Sequence, residues 1–108
     1  MKVAILGSGN IGTDLLIKIL RSPYLECGVF IGRNVLSKGI QKACELGVNT
    51  SVSGIEYILK NSDCCEMVFD ATSAVAHAIH APILRSLDKF TMISHRRNKE
   101  KCAYRLLI

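Results

Sequence analysis

Six consecutive residues, Gly7-Ser8-Gly9-Asn10-Ile11-Gly12, restrict what this chain can fold into more than any other feature. They spell G-x-G-x-x-G, a weak pattern alone because glycine is common, but its flanks are specific. Before it, Lys2–Leu6 is a short apolar run that reads as a buried strand. After it, Ile11, Leu15, Leu16, Ile19 and Leu20 recur at helical spacing, with Asp14, Lys18 and Arg21 on the other side. Strand, glycine turn and helix in that order predict a βαβ unit over residues 1–34 that cradles a dinucleotide. Gly7 permits the tight turn, Gly9 lets a pyrophosphate approach the backbone, and Gly12 lets the helix close on the strand. The helix start offers backbone N–H groups and a partial positive charge to phosphate, with Ser8 and Asn10 able to add side-chain hydrogen bonds. A glycine turn that only joins two elements has the same composition, so the reading rests on the flanks.

The rest of the chain continues the alternation. Ser22-Pro23 ends the first helix, and Leu25–Ile31 reads as a second strand closed by Gly32. Ser37–Leu46 reads as a helix with Ile40, Ala43 and Cys44 inward and Gly47 in the left-handed position beyond it. Val48–Val52 is a weaker strand, and Ser53 with Glu56 has capping-box spacing ahead of a short helix. Met67–Asp70 is a fourth strand, and a helix is expected over much of Ala76–Leu87, with Pro82 imposing a kink or a restart. Phe90–Ile93 is the last expected strand. This order predicts an α/β fold: a Rossmann-like parallel sheet with helices on both faces, forming part of a doubly wound domain over residues 1–93. Residues 94–108 read as a divergent basic tail.

Charge distribution narrows the partners. The net charge is +5, yet residues 1–94 hold nine Lys and Arg against eight Asp and Glu. The excess lies in Arg96, Arg97, Lys99, Lys101 and Arg105, which argues against a nucleic-acid partner. No apolar run approaches the roughly 18–20 residues of a membrane span, and the expectation is a soluble, cytoplasmic protein without membrane contact. The five cysteines are odd in number and contain no Cys-x-x-Cys pair, the pattern of reduced thiols packed as small hydrophobes.

Three further places bear on a ligand. Dinucleotide folds set an Asp or Glu about 20 residues beyond the glycines, where it holds the adenosine ribose. Here that position falls at Gly32-Arg33-Asn34, and no acid occurs between Glu26 and Glu45. Arg33, with Lys38 nearby, suits a 2′-phosphate and hence NADP; a solvated loop charge explains Arg33 equally well. Phe69-Asp70-Ala71-Thr72-Ser73-Ala74 follows the fourth strand, so Thr72 and Ser73 are expected beside a cofactor, although turns use the same residues. Asp70 would cap or orient that loop. His77 and His80 share a helix face, but with no third ligand evident they read as surface or groove histidines and no metal is expected.

Lys2–Leu15 and Val68–Ala74, the latter followed by Ala76-His77, closely resemble the acylating acetaldehyde dehydrogenase family. The segments G-S-G-N-I-G-T-D and F-D-A-T-S-A are far longer than a generic fingerprint, and the resemblance covers residues 2–93. It implies a semialdehyde-dehydrogenase-like NAD-binding domain with Ser8–Ile11 in the cofactor-binding stretch. It also implies conversion of acetaldehyde, coenzyme A and NAD to acetyl-coenzyme A and NADH through a cysteine thiolate. Many family members carry Asp where this chain has Asn34. Family members continue into a Cys-Gly-Gly segment with the nucleophile and a domain for dimerisation, and they pair with an aldolase. Here Ser94–Ile108 matches none of that and resembles a truncated or out-of-frame end. Cys102, followed by Ala103-Tyr104, is not the family nucleophile. The expectation is a cofactor domain, NAD-binding with NADP possible, that carries no catalytic residue and is inactive alone. A non-catalytic dinucleotide-binding remnant, or the cofactor domain of another semialdehyde-type dehydrogenase, fits the same residues.

Overall fold

The structure is a computed structural model that describes residues 1–98 and 101–107, with side chains described for residues 1–93. The strands are β1 (Lys2–Leu6), β2 (Glu26–Ile31), β3 (Thr50–Ser51), β4 (Met67–Asp70), β5 (Phe90–Asn98) and β6 (Lys101–Leu107). The helices are α1 (Asn10–Arg21), α2 (Lys38–Glu45), α3 (Glu56–Lys60) and α4 (Ala74–Ser86), with a 3-10 turn at Ser62–Cys64. The sheet order is β3-β2-β1-β4-β5-β6. Strands β1 to β5 are parallel, as the alternating pattern predicts, while β6 pairs antiparallel with β5.

Strand alternation sends successive side chains to opposite faces, and each face carries its own core. Val3, Ile5, Phe30 and Phe69 pack with Leu15, Leu16 and Ile19 of α1 and Ile40 and Ala43 of α2. Ala4, Leu6, Val29, Ile31 and Val68 pack with Ile58 of α3 and Leu84 of α4. The pair α1/α2 therefore covers one face and α3/α4 the other, the arrangement of a doubly wound sheet. The topological switch lies between β1 and β4, because the chain winds outward through β2 and β3 and then returns.

Local expectations differ from the structure in four places. Leu20 is 45% exposed and Cys44 is exposed; each lies just beyond the buried stripe of its helix. Ser53 does not cap α3. Gly54 takes a left-handed conformation (φ +66°), which delays the helix to Glu56 and leaves Ile55 at the cap position. Helix α4 starts earlier than expected because the Ser73 hydroxyl accepts a hydrogen bond from the Ala76 N–H at 3.2 Å. It also runs through Pro82 without a restart. The carbonyl that loses its donor there belongs to Ala78, and both residues are exposed, so water can satisfy it.

The last strand extends past Ile93 to Asn98, and Lys101–Leu107 returns beside it. Much of the basic tail is thus strand in its backbone. Lys99, Glu100 and Ile108 of that tail lie outside the described residues. Among the described residues, no helix is long and apolar enough to cross a membrane.

Candidate functional site

The carboxyl ends of β1, β2 and β4 open onto a groove of about 370 Å³ beside the topological switch, where open α/β sheets bind ligands. Its first wall is the glycine turn. Gly7 has φ +108°, and a Cβ there would lie 2.8 Å from the Ala71 carbonyl oxygen. The Gly7 N–H donates to the Ile31 carbonyl at 2.8 Å, tying the turn to the end of β2. Gly12 is buried under the turn, and a Cβ on it would overlap the Gly7 carbonyl. Gly9 differs from both: nothing lies within 4 Å of the Cβ it lacks. Gly9 is also the N-cap of α1, and no side chain caps that helix. The backbone N–H groups of its first turn are therefore the donors that a phosphate would engage.

The second wall follows β2. Arg33, Asn34 and Ser37 line the groove, and Arg33 and Asn34 are exposed. The Asn34 Oδ1 accepts a hydrogen bond from the Leu36 N–H at 2.8 Å, so its acceptor is turned to its own loop and its amide N–H₂ remains as donor. The Ser37 hydroxyl caps α2 by accepting from the Ile40 N–H at 3.3 Å, and it lies 3.3 Å from the Ser8 hydroxyl. The glycine turn and the β2–α2 loop are thereby joined through two serines. Gly39 permits this approach, since a Cβ there would meet the Ser8 carbonyl.

The third wall is the β4–α4 loop, with Ala71, Thr72 and Ser73 at the groove and Ala76 and His80 on the helix beyond. Its shape depends on Asp70, whose side chain is fully buried. Oδ1 accepts from the Thr72 N–H at 3.0 Å and from the Thr72 hydroxyl. Oδ2 faces Nδ1 of His77 at 2.9 Å and Nδ1 of His80 at 3.0 Å. Burial works to raise the Asp70 pKa, but the hydrogen bonds from Thr72, His77 and His80 together outweigh it and hold the carboxyl below its ordinary value.

Of the ten residues expected at the cofactor, Gly7, Ser8, Gly9, Arg33, Asn34, Thr72 and Ser73 line this one groove. Asn10 faces a neighbouring depression with Thr13 and Lys38. Ile11 and Gly12 do not line the groove, Gly12 serving beneath the turn. The convergence of His77 and His80 on Asp70 is not visible in the local sequence pattern. The i, i+3 spacing placed the two imidazoles together, but their shared partner sits across a turn at the end of a strand. Among the described residues no group of three His, Cys, Asp or Glu side chains is placed to hold a metal ion.

The chain is 56% identical over 87 residues to an acetaldehyde dehydrogenase of Spirochaeta aurantia, covering 81% of this chain and 29% of that protein. The identity is 55% over 89 residues with that of Pectobacterium atrosepticum (82% and 30%) and 48% over 93 residues with that of Thermomicrobium roseum (85% and 30%). Over this portion the chain is homologous to the acetaldehyde dehydrogenase family. It corresponds to the NAD-binding domain of such a dehydrogenase and spans about 30% of the length of the curated relatives it matches. No family model matches it. A solved structure, UDP-D-quinovosamine 4-dehydrogenase from Vibrio fischeri, superposes with TM-score 0.71 at 16% identity, covering 99% of this chain and 93% of that one. That likeness carries the fold alone, a Rossmann-like α/β sheet, and the homology implies a dinucleotide cofactor.

Proposed function

We propose that residues 1–93 of this acetaldehyde dehydrogenase homologue hold NAD or NADP in the groove above β1, β2 and β4, in the service of acylating acetaldehyde oxidation. The observation that carries the reading is the open approach at Gly9, over a helix start that no side chain caps, in a chain 56% identical over 87 residues to an acetaldehyde dehydrogenase. The residues present fit the group. The turn offers backbone donors to a pyrophosphate, and the β2 end offers the adenosine ribose a place.

At the ribose the chemistry favours a 2′-phosphate. Arg33 is a cation with donors only, and Asn34 has its acceptor engaged and its amide donors left over. A ribose diol is ordinarily held by a carboxylate, and residues 27–44 contain none. We therefore assign NADP as an accepted cofactor. Titration with NADH and NADPH tests this: comparable or tighter NADPH binding supports it, and clear preference for NADH overturns it.

The cofactor, when bound, supplies hydride acceptance; this chain's residues bind and orient it. Acyl transfer needs an activated thiolate. Neither Cys27, Cys44, Cys64 nor Cys65 lines the groove, and burial pushes the thiols of Cys27 and Cys65 up to about 11 and about 12. We infer that these 108 residues hold cofactor without performing acyl transfer, and coenzyme A-dependent NADH formation from the purified chain would overturn this. Dimerisation and pairing with an aldolase, implied by the family resemblance, belong in this reading to the part of the relatives outside the matched portion. A cytoplasmic location is proposed with it, in keeping with four free thiols among the described residues.

A further inference from the structure

We propose that the adjacent thiols of Cys64 and Cys65 form a chelating site for a trivalent organic arsenical of the class R–As(OH)₂, at the end of the sheet opposite the dinucleotide groove. The pair lies between the 3-10 turn and β4, and so meets the amino end of the strand whose carboxyl end carries Asp70. Neighbouring residues of a strand point to opposite faces, yet both of these side chains belong to the core on the α3/α4 face. A change of backbone between them accounts for it. Cys64 closes the 3-10 turn, its N–H donating to the Asn61 carbonyl at 2.9 Å, while Cys65 is extended (φ −160°, ψ 158°). Cys65 is buried, Cys64 is half-buried, and the two thiols are hydrogen-bonded neighbours. The backbone around them is held from two sides. The Lys89 ammonium donates to the carbonyls of Ser62 and, at 2.6 Å, Cys65. The Cys64 carbonyl rests on Gly28 of β2, where any Cβ would overlap it. The dithiol is therefore set in place before a ligand arrives.

Two other fates of such a pair fit less well. Cα atoms of adjacent residues lie about 3.8 Å apart, short of the roughly 4.4–6.8 Å usual for a disulfide. An arsenic atom between the sulfurs lets them stand farther apart than an S–S bond does. Structural zinc takes four ligands, and among the described residues no third His, Cys, Asp or Glu is placed to join the pair. The arsenical takes two sulfurs and keeps its carbon substituent. Two As–S bonds form and two As–O bonds break; each hydroxide leaves with one thiol proton as water, and no atom changes oxidation state. Burial, with the Cys64 thiol beside it, pushes the Cys65 thiol up to about 12, so reagents that need a thiolate find little to attack. The arsenical brings its own proton acceptor in its hydroxides. Of the other described cysteines, Cys27 packs on the opposite sheet face and Cys44 is exposed beside Thr50.

The test incubates the reduced 108-residue protein with phenylarsine oxide and reads the intact mass after excess reagent is removed. One phenylarsenic group per chain is expected, retained in the monothiol β-mercaptoethanol and released by the dithiol dithiothreitol. Cys64→Ser should lose the retained adduct, and Cys44→Ser should keep it. Absence of an adduct, its loss to the monothiol, or its retention by Cys64→Ser overturns the proposal. A second measurement needs no variant: proteolysis of the wild-type adduct is expected to place the added mass on the segment holding Cys64 and Cys65. Arsenic found on Cys27, Cys44 or Cys102 instead overturns it independently.

Discussion

Gly12 packs so closely beneath Gly7 that any side chain on Gly12 would meet the Gly7 carbonyl, whereas Gly9, between them in sequence, faces open space. One glycine motif therefore serves two separate purposes, packing and ligand approach, and substitution separates them.

Gly12→Ala is expected to destabilise the fold by about 1–3 kcal/mol, the usual cost of overpacking a tight contact. Urea unfolding followed by circular dichroism should show a lower midpoint. A midpoint equal to that of the wild type would mean that the helix and turn are not in contact as described.

Gly9→Ala should leave that midpoint nearly unchanged, because the backbone at Gly9 (φ −74°) suits alanine and its Cβ meets nothing. NADH binding should weaken by about tenfold or more, since the methyl group enters the space proposed for phosphate. Equal affinity in wild type and variant would remove Gly9 from the site.

Asn34→Asp is expected to turn the ribose position toward NAD. A carboxylate accepts from both ribose hydroxyls and repels a 2′-phosphate, so NADPH affinity should fall by about tenfold while NADH affinity holds or rises. Parallel changes in both cofactors would place the adenosine ribose elsewhere.

The Asp70 network predicts an acid-dependent stability. Its carboxyl is held below the ordinary value of 3.8 in the fold, so the folded state favours the ionised form. The resulting stabilisation is complete above the unfolded pKa and disappears as pH falls through the lower folded one. Asp70→Asn should cost about 1–3 kcal/mol near neutrality, as expected for disturbing a buried hydrogen-bonded group. The difference between wild type and variant should narrow below about pH 4. A gap that does not depend on pH would show that the carboxylate charge contributes nothing.

How much of this was legible before the structure depends on the range of the signal. The glycine turn, the α1 stripe short of Leu20, and Met67–Asp70 are local patterns in which propensity, spacing and burial agree, and each stands where the residues predicted. The start of α3 departs from the local pattern because Ser53 and Glu56 have capping-box spacing while Gly54 turns left-handed between them. The continuation of β5 to Asn98 and the return of β6 were illegible because Ser94–Asn98 is polar and basic, and because Lys101–Leu107, with Cys102-Ala103-Tyr104 and Leu106-Leu107 separated by Arg105, has no clean alternation. An antiparallel partner at a sheet edge does not demand the apolar run of a buried parallel strand. The Asp70, His77 and His80 cluster was half legible: helical spacing pairs the histidines, but only the fold brings the end of β4 beneath them.

The central claim is that the glycine turn of this chain holds a dinucleotide, and NADH fluorescence tests it most directly. Titrating the 108-residue protein into NADH is expected to give a saturable one-to-one enhancement that Gly9→Ala diminishes. An absence of saturable binding to the folded wild-type chain would contradict the account.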